Sequence, residues 1–91
     1  MYTVYILYSE KYKKTYVGFT SDLIERFKSH NLLASKGFTV KFRPWKVIYI
    51  EIFENKRDAM IREKQLKAGK GRLWIREVIL KKMIDSGFIS A

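Results

Sequence analysis

An α/β fold of the α+β type is what the sequence predicts for these 91 residues. It should hold a three-stranded antiparallel sheet flanked by three helices, in the order β-β-α-β-α-α. Three observations point there. The runs Tyr2–Tyr8, Thr15–Phe19 and Trp45–Phe53 are rich in β-branched and aromatic residues, which suit a pleated surface. Helix-starting residues at Thr20-Ser21-Asp22 and at Asn55 each precede a stretch with helical apolar spacing. The connection Ser9–Lys14 is too short for a parallel crossover, so the first two strands pair antiparallel.

Each element has its own signal. Tyr2–Tyr8 carries apolar groups on both faces, the mark of a central strand. Gly18, inside the second strand, signals a bulge or a close backbone approach. Asp22 followed by Glu25 forms a capping-box pattern, and the helix runs to about Asn31 with Leu23, Ile24 and Phe27 as its buried stripe. Leu32–Arg43 is polar and basic, contains Gly37, and is expected to be a mobile loop. Trp45–Phe53 alternates Val47, Tyr49, Glu51 and Phe53 against Lys46, Ile48, Ile50 and Ile52. Asn55 caps a second helix through about Ala68, and Gly69-Lys70-Gly71 breaks it. Arg72–Ser86 reads as a third helix with a broad apolar face of Leu73, Trp74, Ile75, Val78, Ile79, Leu80, Met83 and Ile84. Gly87 ends it, and Phe88–Ala91 is a tail.

Length and composition set bounds. Residues 1–91 are expected to form one domain with a small core. Six Tyr, six Phe and two Trp supply that core without staples. The chain has no cysteine, so disulfides and thiolate zinc sites are excluded, as suits a reducing cytoplasm. No segment approaches the ~20 apolar residues of a membrane span. Tyr2–Tyr8 is too short for a signal peptide and lacks a positive leader, so a soluble, unprocessed, cytoplasmic protein is expected.

The formal charge is +10, from 19 basic and 9 acidic residues. Such a balance points to a polyanion, nucleic acid before an anionic membrane. The charge is uneven. No acid lies between Glu25 and Glu51, where Arg26, Lys28, Lys36, Lys41, Arg43 and Lys46 fall. Any single lysine is most simply a solvated surface group. The distribution as a whole reads as a phosphate-binding face, with Lys14, Lys36, Lys41, Arg43, Lys46, Arg62, Lys64, Lys67, Lys70 and Arg72 as its candidate residues.

Five residues stand out for chemistry. Glu63 shares a helix face with Ala59 and Leu66, and a carboxylate in a buried stripe is costly unless compensated. A structural arginine would compensate it. So would Mg²⁺, which often takes one or two protein carboxylates and completes its shell with water and phosphate. Arg26 and His30, four apart, offer a bidentate phosphate ligand and a group that titrates near neutral pH. Alone they would be an exposed arginine and a helix-end histidine. As the only histidine, His30 excludes a multi-histidine metal site. Tyr5 and Tyr16 are ordinary strand residues individually. A phenol is a poor base unless a nearby cation lowers its pKa. Walker-type loops, Ser-His-Asp or Cys-His sets and glycosidase-type paired carboxylates find no support.

Together these residues resemble the GIY-YIG nuclease superfamily, in particular its small stand-alone bacterial branch, similar to the amino-terminal domain of excision-repair incision nucleases. The first motif stands as Thr3-Val4-Tyr5 and the second as Tyr16-Val17-Gly18. Arg26 and His30 keep the Arg-x-x-x-His spacing, and Glu63 falls at the family's metal-binding glutamate. The resemblance covers essentially the whole chain and implies a DNA endonuclease that uses one Mg²⁺ or Mn²⁺ ion. It implies that Tyr5 or Tyr16 activates or orients the attacking water, with Arg26 on the scissile phosphate. His30 would assist proton transfer, Glu63 would bind the ion, and Gly18 would allow the close approach beside the site. Two departures stand out: Thr3 replaces the first glycine, and no asparagine on the last helix matches the one some relatives carry. DNA repair or recombination is the implied setting. The rival readings are a nucleic-acid-binding module without turnover and an accessory subunit of a repair complex. A protein partner and the oligomeric state stay open.

Overall fold

The computed structural model describes residues 1–33 and 37–90. Strand β1 (Tyr2–Ser9), β2 (Lys14–Thr20) and β3 (Lys46–Phe53) form one antiparallel sheet in the order β2-β1-β3. The two-faced apolar pattern of β1 follows from this central place. Val4, Ile6 and Tyr8 point into one cluster with Val17, Ile48, Ala59, Leu66, Ile75, Ile79 and Ile89. Tyr5 and Leu7 point into a second cluster with Trp45, against which Tyr16, Leu23, Phe27, Phe42 and Val47 pack.

Helix α1 (Leu23–Lys28) starts where its cap predicts: the Asp22 carboxylate accepts the Glu25 amide at 3.2 Å. It continues into a π-helical turn, Ser29–Leu33. Asn55 likewise accepts the Asp58 amide at 2.9 Å and opens α3 (Lys56–Lys67). After α3 the chain turns at Ala68, whose backbone is extended (φ −76°, ψ 168°). Helix α4 (Gly69–Trp74) then leads through a π-helical segment, Ile75–Leu80, into α5 (Lys81–Asp85).

Five expectations require correction. The stretch 32–43 contains a short helix, α2 (Phe38–Lys41), so the part described is not simply a loop. The break after α3 falls at Ala68, and Gly69 already belongs to the next helix. Glycine is needed at Gly71 for space instead: a Cβ there would lie 2.1 Å from the Gln65 carbonyl oxygen. Ile24 does not join the buried stripe of α1, being 69% exposed. Of the broad apolar face read on the last helix, Ile75 and Ile79 are buried while Leu73, Val78 and Ile84 are exposed. Finally, the described part of the expected tail, residues 88–90, is held to the body, because Ile89 packs into the first core cluster.

Candidate active site

Tyr5 lies at the middle of β1, opposite Gly18 of β2. A Cβ on Gly18 would sit 2.5 Å from the Tyr5 hydroxyl oxygen and 3.2 Å from the Tyr16 ring. The Tyr5 ring therefore lies close over the β2 backbone, and only glycine leaves it room. Tyr16, two residues back on the same strand, projects to the same side. The two ring centroids are 6.4 Å apart.

The helix after β2 brings His30 onto this pair. His30 Nε2 is 2.8 Å from the Tyr5 hydroxyl, and its ring lies 4.8 Å from that of Tyr16. Two side chains hold the end of the helix in place. The Arg43 guanidinium donates to the carbonyls of His30 (2.6 Å) and Ser29 (3.1 Å). Asn31 accepts the Trp45 amide at 2.7 Å and donates to the Trp45 carbonyl at 3.1 Å, as a strand partner would.

Electrostatics keeps the phenol protonated and the imidazole neutral. Burial pushes the Tyr5 phenol up to about 12; Arg26 works against the shift, and Tyr16 and Glu63 add to it. The His30 imidazole is lowered, first by burial and then by the charges of Arg26 and Arg43. With the neutral imidazole in its Nδ1–H tautomer, Tyr5 donates and Nε2 accepts. The Arg26 guanidinium lies beside both phenols, and its own pKa is raised by contact with the Tyr5 hydroxyl and then by Tyr16.

Glu63 sits on α3 between Ala59 and Leu66, both fully buried, as the helical spacing predicts. Its side chain is 18% exposed, and its charge acts on the Tyr5 hydroxyl. Lys67 Nζ stands 3.5 Å from its carboxylate and 6.0 Å above the Tyr16 ring. Among the described residues no three His, Cys, Asp or Glu side chains converge. The donors present are thus too few for an all-protein metal cage. They fit a hard ion that takes one carboxylate and fills its shell with water and phosphate oxygens.

Basic side chains surround this group unevenly. A cleft of about 670 Å³ runs past Tyr16, lined by Lys13, Lys67, Arg72 and Arg76 together with Phe38 and apolar residues of the helices. It meets the tyrosine site at Tyr16 and Lys67. Lys67 and Arg72 were expected on a phosphate-binding face; Lys13 and Arg76 were not, and neither carries a local signal beyond its charge. Lys14, Lys41, Lys64 and Lys70 are exposed away from the cleft lining. Three other expected cations have structural partners within the fold. Arg43 holds the end of the α1 helix. Lys46 pairs with Glu10 and donates to the Phe88 carbonyl. Arg62 grips Glu51 through Nε and a terminal nitrogen and lies over Trp74. Lys36 falls outside the described residues. No helix among them is long and apolar enough to cross a membrane.

Comparison with known proteins agrees with this fold. Residues 1–74 match the family described as the GIY-YIG catalytic domain. A UPF0213 protein of Clostridium perfringens, CPE1444, is 42% identical over 64 residues, covering 70% of this chain and 68% of that one. The UPF0213 protein YazA of Bacillus subtilis is 40% identical over 65 residues, covering 68% and 66%. The solution structure of the UPF0213 protein BH0048 from Bacillus halodurans has a TM-score of 0.51 at 25% identity, covering 86% of this chain and 85% of that one.

Proposed function

Because the chain belongs to the GIY-YIG catalytic-domain family, we propose that it is a metal-dependent endonuclease, one domain across residues 1–91, that hydrolyses DNA phosphodiester bonds. One observation supports the reading: Tyr16, Arg26, His30 and Glu63 all act on the ring or hydroxyl of Tyr5, beside a basic cleft.

The exposures support a division of work between the tyrosines. Tyr5 is 1% exposed, whereas Tyr16 stands in the cleft wall, where substrate and water meet it. Tyr16 orients the attacking water. A phenol raised to about 12 is no standing base at neutral pH. Tyr5 instead relays: it takes the water's proton as its own passes to His30 Nε2. Arg26, beside both hydroxyls, binds the scissile phosphate and meets the charge that builds on it. Glu63 would hold Mg²⁺ or Mn²⁺, the ion supplying Lewis-acid stabilisation of the phosphate and the leaving oxygen. Branched, flapped or single-stranded DNA in repair or recombination is the expected setting, in the compartment that holds the DNA.

The test is cleavage of labelled duplex, flap and Holliday-type DNA with Mg²⁺ or Mn²⁺, wild type beside Glu63→Ala. Metal-dependent cutting lost in the variant is the expected result. A variant that cuts as fast as wild type would remove Glu63 from the site. Binding without cutting in both proteins would favour the non-catalytic module, which the cleft cations Lys13, Lys67, Arg72 and Arg76 also support.

A further inference from the structure

The cleft is flanked by aromatic rings that the proton relay does not use. Phe38, the first residue of α2, is 49% exposed. Its ring stacks on Tyr16 at 6.3 Å and an interplanar angle of 27°, and it packs on Phe42 at 4.8 Å and Trp45 at 6.2 Å. Tyr12, in the turn between β1 and β2, is 41% exposed and meets Phe42 edge-on at 5.4 Å. Phe38 and Tyr12 are thus the outer members of an aromatic cluster whose inner member, Trp45, is buried. The surrounding charge is positive. Lys11 Nζ lies 5.3 Å from the Tyr12 ring and Lys14 Nζ 5.6 Å from that of Phe42. Lys41 is exposed on α2, and Lys13 and Lys67 line the cleft beside Phe38. The nearby acid Glu10 is already paired with Lys46.

Half-exposed rings on a cationic rim suit a ligand that is anionic along its backbone and offers flat apolar faces. Duplex DNA hides its base faces; a single strand presents them, and base–aromatic stacking tolerates any sequence. We propose that Phe38 and Tyr12 form a stacking platform for unpaired bases of single-stranded DNA next to the scissile phosphate, so that the site selects DNA with a single-stranded segment. The Phe38 ring, stacked on Tyr16, takes the base nearest the reaction, and Tyr12 takes one farther out. This inference rests on the nuclease reading of the Tyr16 site.

Binding without turnover separates the two ideas. In a Glu63→Gln background without metal, fluorescence anisotropy would compare labelled dT12 with a closed dumbbell duplex that has no unpaired end. Phe38→Ala and Tyr12→Ala should each weaken dT12 binding about tenfold, within the range for one base–aromatic stack, and leave dumbbell binding unchanged. Phe38→Tyr should restore dT12 affinity. Phe38→Leu, which keeps apolar packing on Phe42 and Trp45, should behave like Phe38→Ala, and it guards against a folding defect. Equal losses on both DNAs, dT12 affinity unmoved in the variants, or tighter binding of rU12 than of dT12 would each overturn the platform. A wild type that stacks dT12 but never cuts would remove the nuclease reading and leave the platform standing.

Discussion

At the residue scale the site depends on the missing Cβ of Gly18, since an added atom meets the Tyr5 phenol. Gly18→Ala should push the Tyr5 hydroxyl off His30. Overpacking of this kind costs about 1–3 kcal/mol, and cleavage should fall at least as far as in Tyr5→Phe. Tyr5→Phe keeps the buried ring but removes the relay, for which general acid–base catalysis suggests about 10²–10⁴-fold. Single-turnover cleavage and urea unfolding would separate lost chemistry from lost fold. The pH dependence follows from His30. Its folded pKa is lowered, by burial first and then by Arg26 and Arg43. The relay needs the neutral ring, so activity should persist as pH falls through ~6.5, the ordinary histidine value, and drop only below it. Stability runs the same way: protonation is opposed in the folded state, so stability declines as pH falls from ~6.5 through the lowered pKa. Arg43→Gln removes one opposing charge and should move the acid limb of the pH–rate profile upward. An unmoved limb would assign it to another group.

At the scale of elements, the site depends on how two helices are anchored. The α1 helix and its π-turn reach Tyr5 only because Asn31 and Arg43 tie their end to the chain entering β3. Asn31→Ala leaves the Trp45 amide and carbonyl without these partners and should cost about 1–3 kcal/mol, read as a lower urea midpoint. It should also loosen His30. The second anchor is the corner between α3 and α4. Gly71→Ala places a methyl group against the Gln65 carbonyl and the Leu66 backbone, which cannot yield as a side chain can. It should therefore destabilise the fold more than Gly18→Ala does. Both glycines were noticed in the sequence, but only packing shows which atom each one avoids.

Over the whole molecule, a +10 charge becomes a binding surface only where cations gather along one wall. Lys46 and Arg62 are held by Glu10 and Glu51. Lys13, Lys67, Arg72 and Arg76 face the cleft. If these four and Arg26 meet phosphates, duplex binding should show a log–log salt slope of about −4.5. Arg76→Ala should reduce that slope by about one, while Lys46→Ala should leave it unchanged. Equal effects of the two variants would mean that the charge acts as a diffuse cloud and not through the cleft.

Local chemistry in the sequence alone determined the strands and the caps at Asp22 and Asn55, and it singled out Tyr5, Tyr16, Arg26, His30 and Glu63 as candidates. β-Propensity, capping and helical spacing act over a few residues and can be read along the chain. Tertiary structure decided what joins residues far apart. The Tyr5–His30 hydrogen bond spans 25 positions, and Asn31 finds Trp45 across 14. Which cations line the cleft depended on where β2, α3 and the helices after it pack. The half-exposed ring of Phe38 reached Tyr16 only because a short helix formed where the composition predicted a loop. Long-range contacts of this kind are set by the shape of the folded core, which no short window of sequence contains.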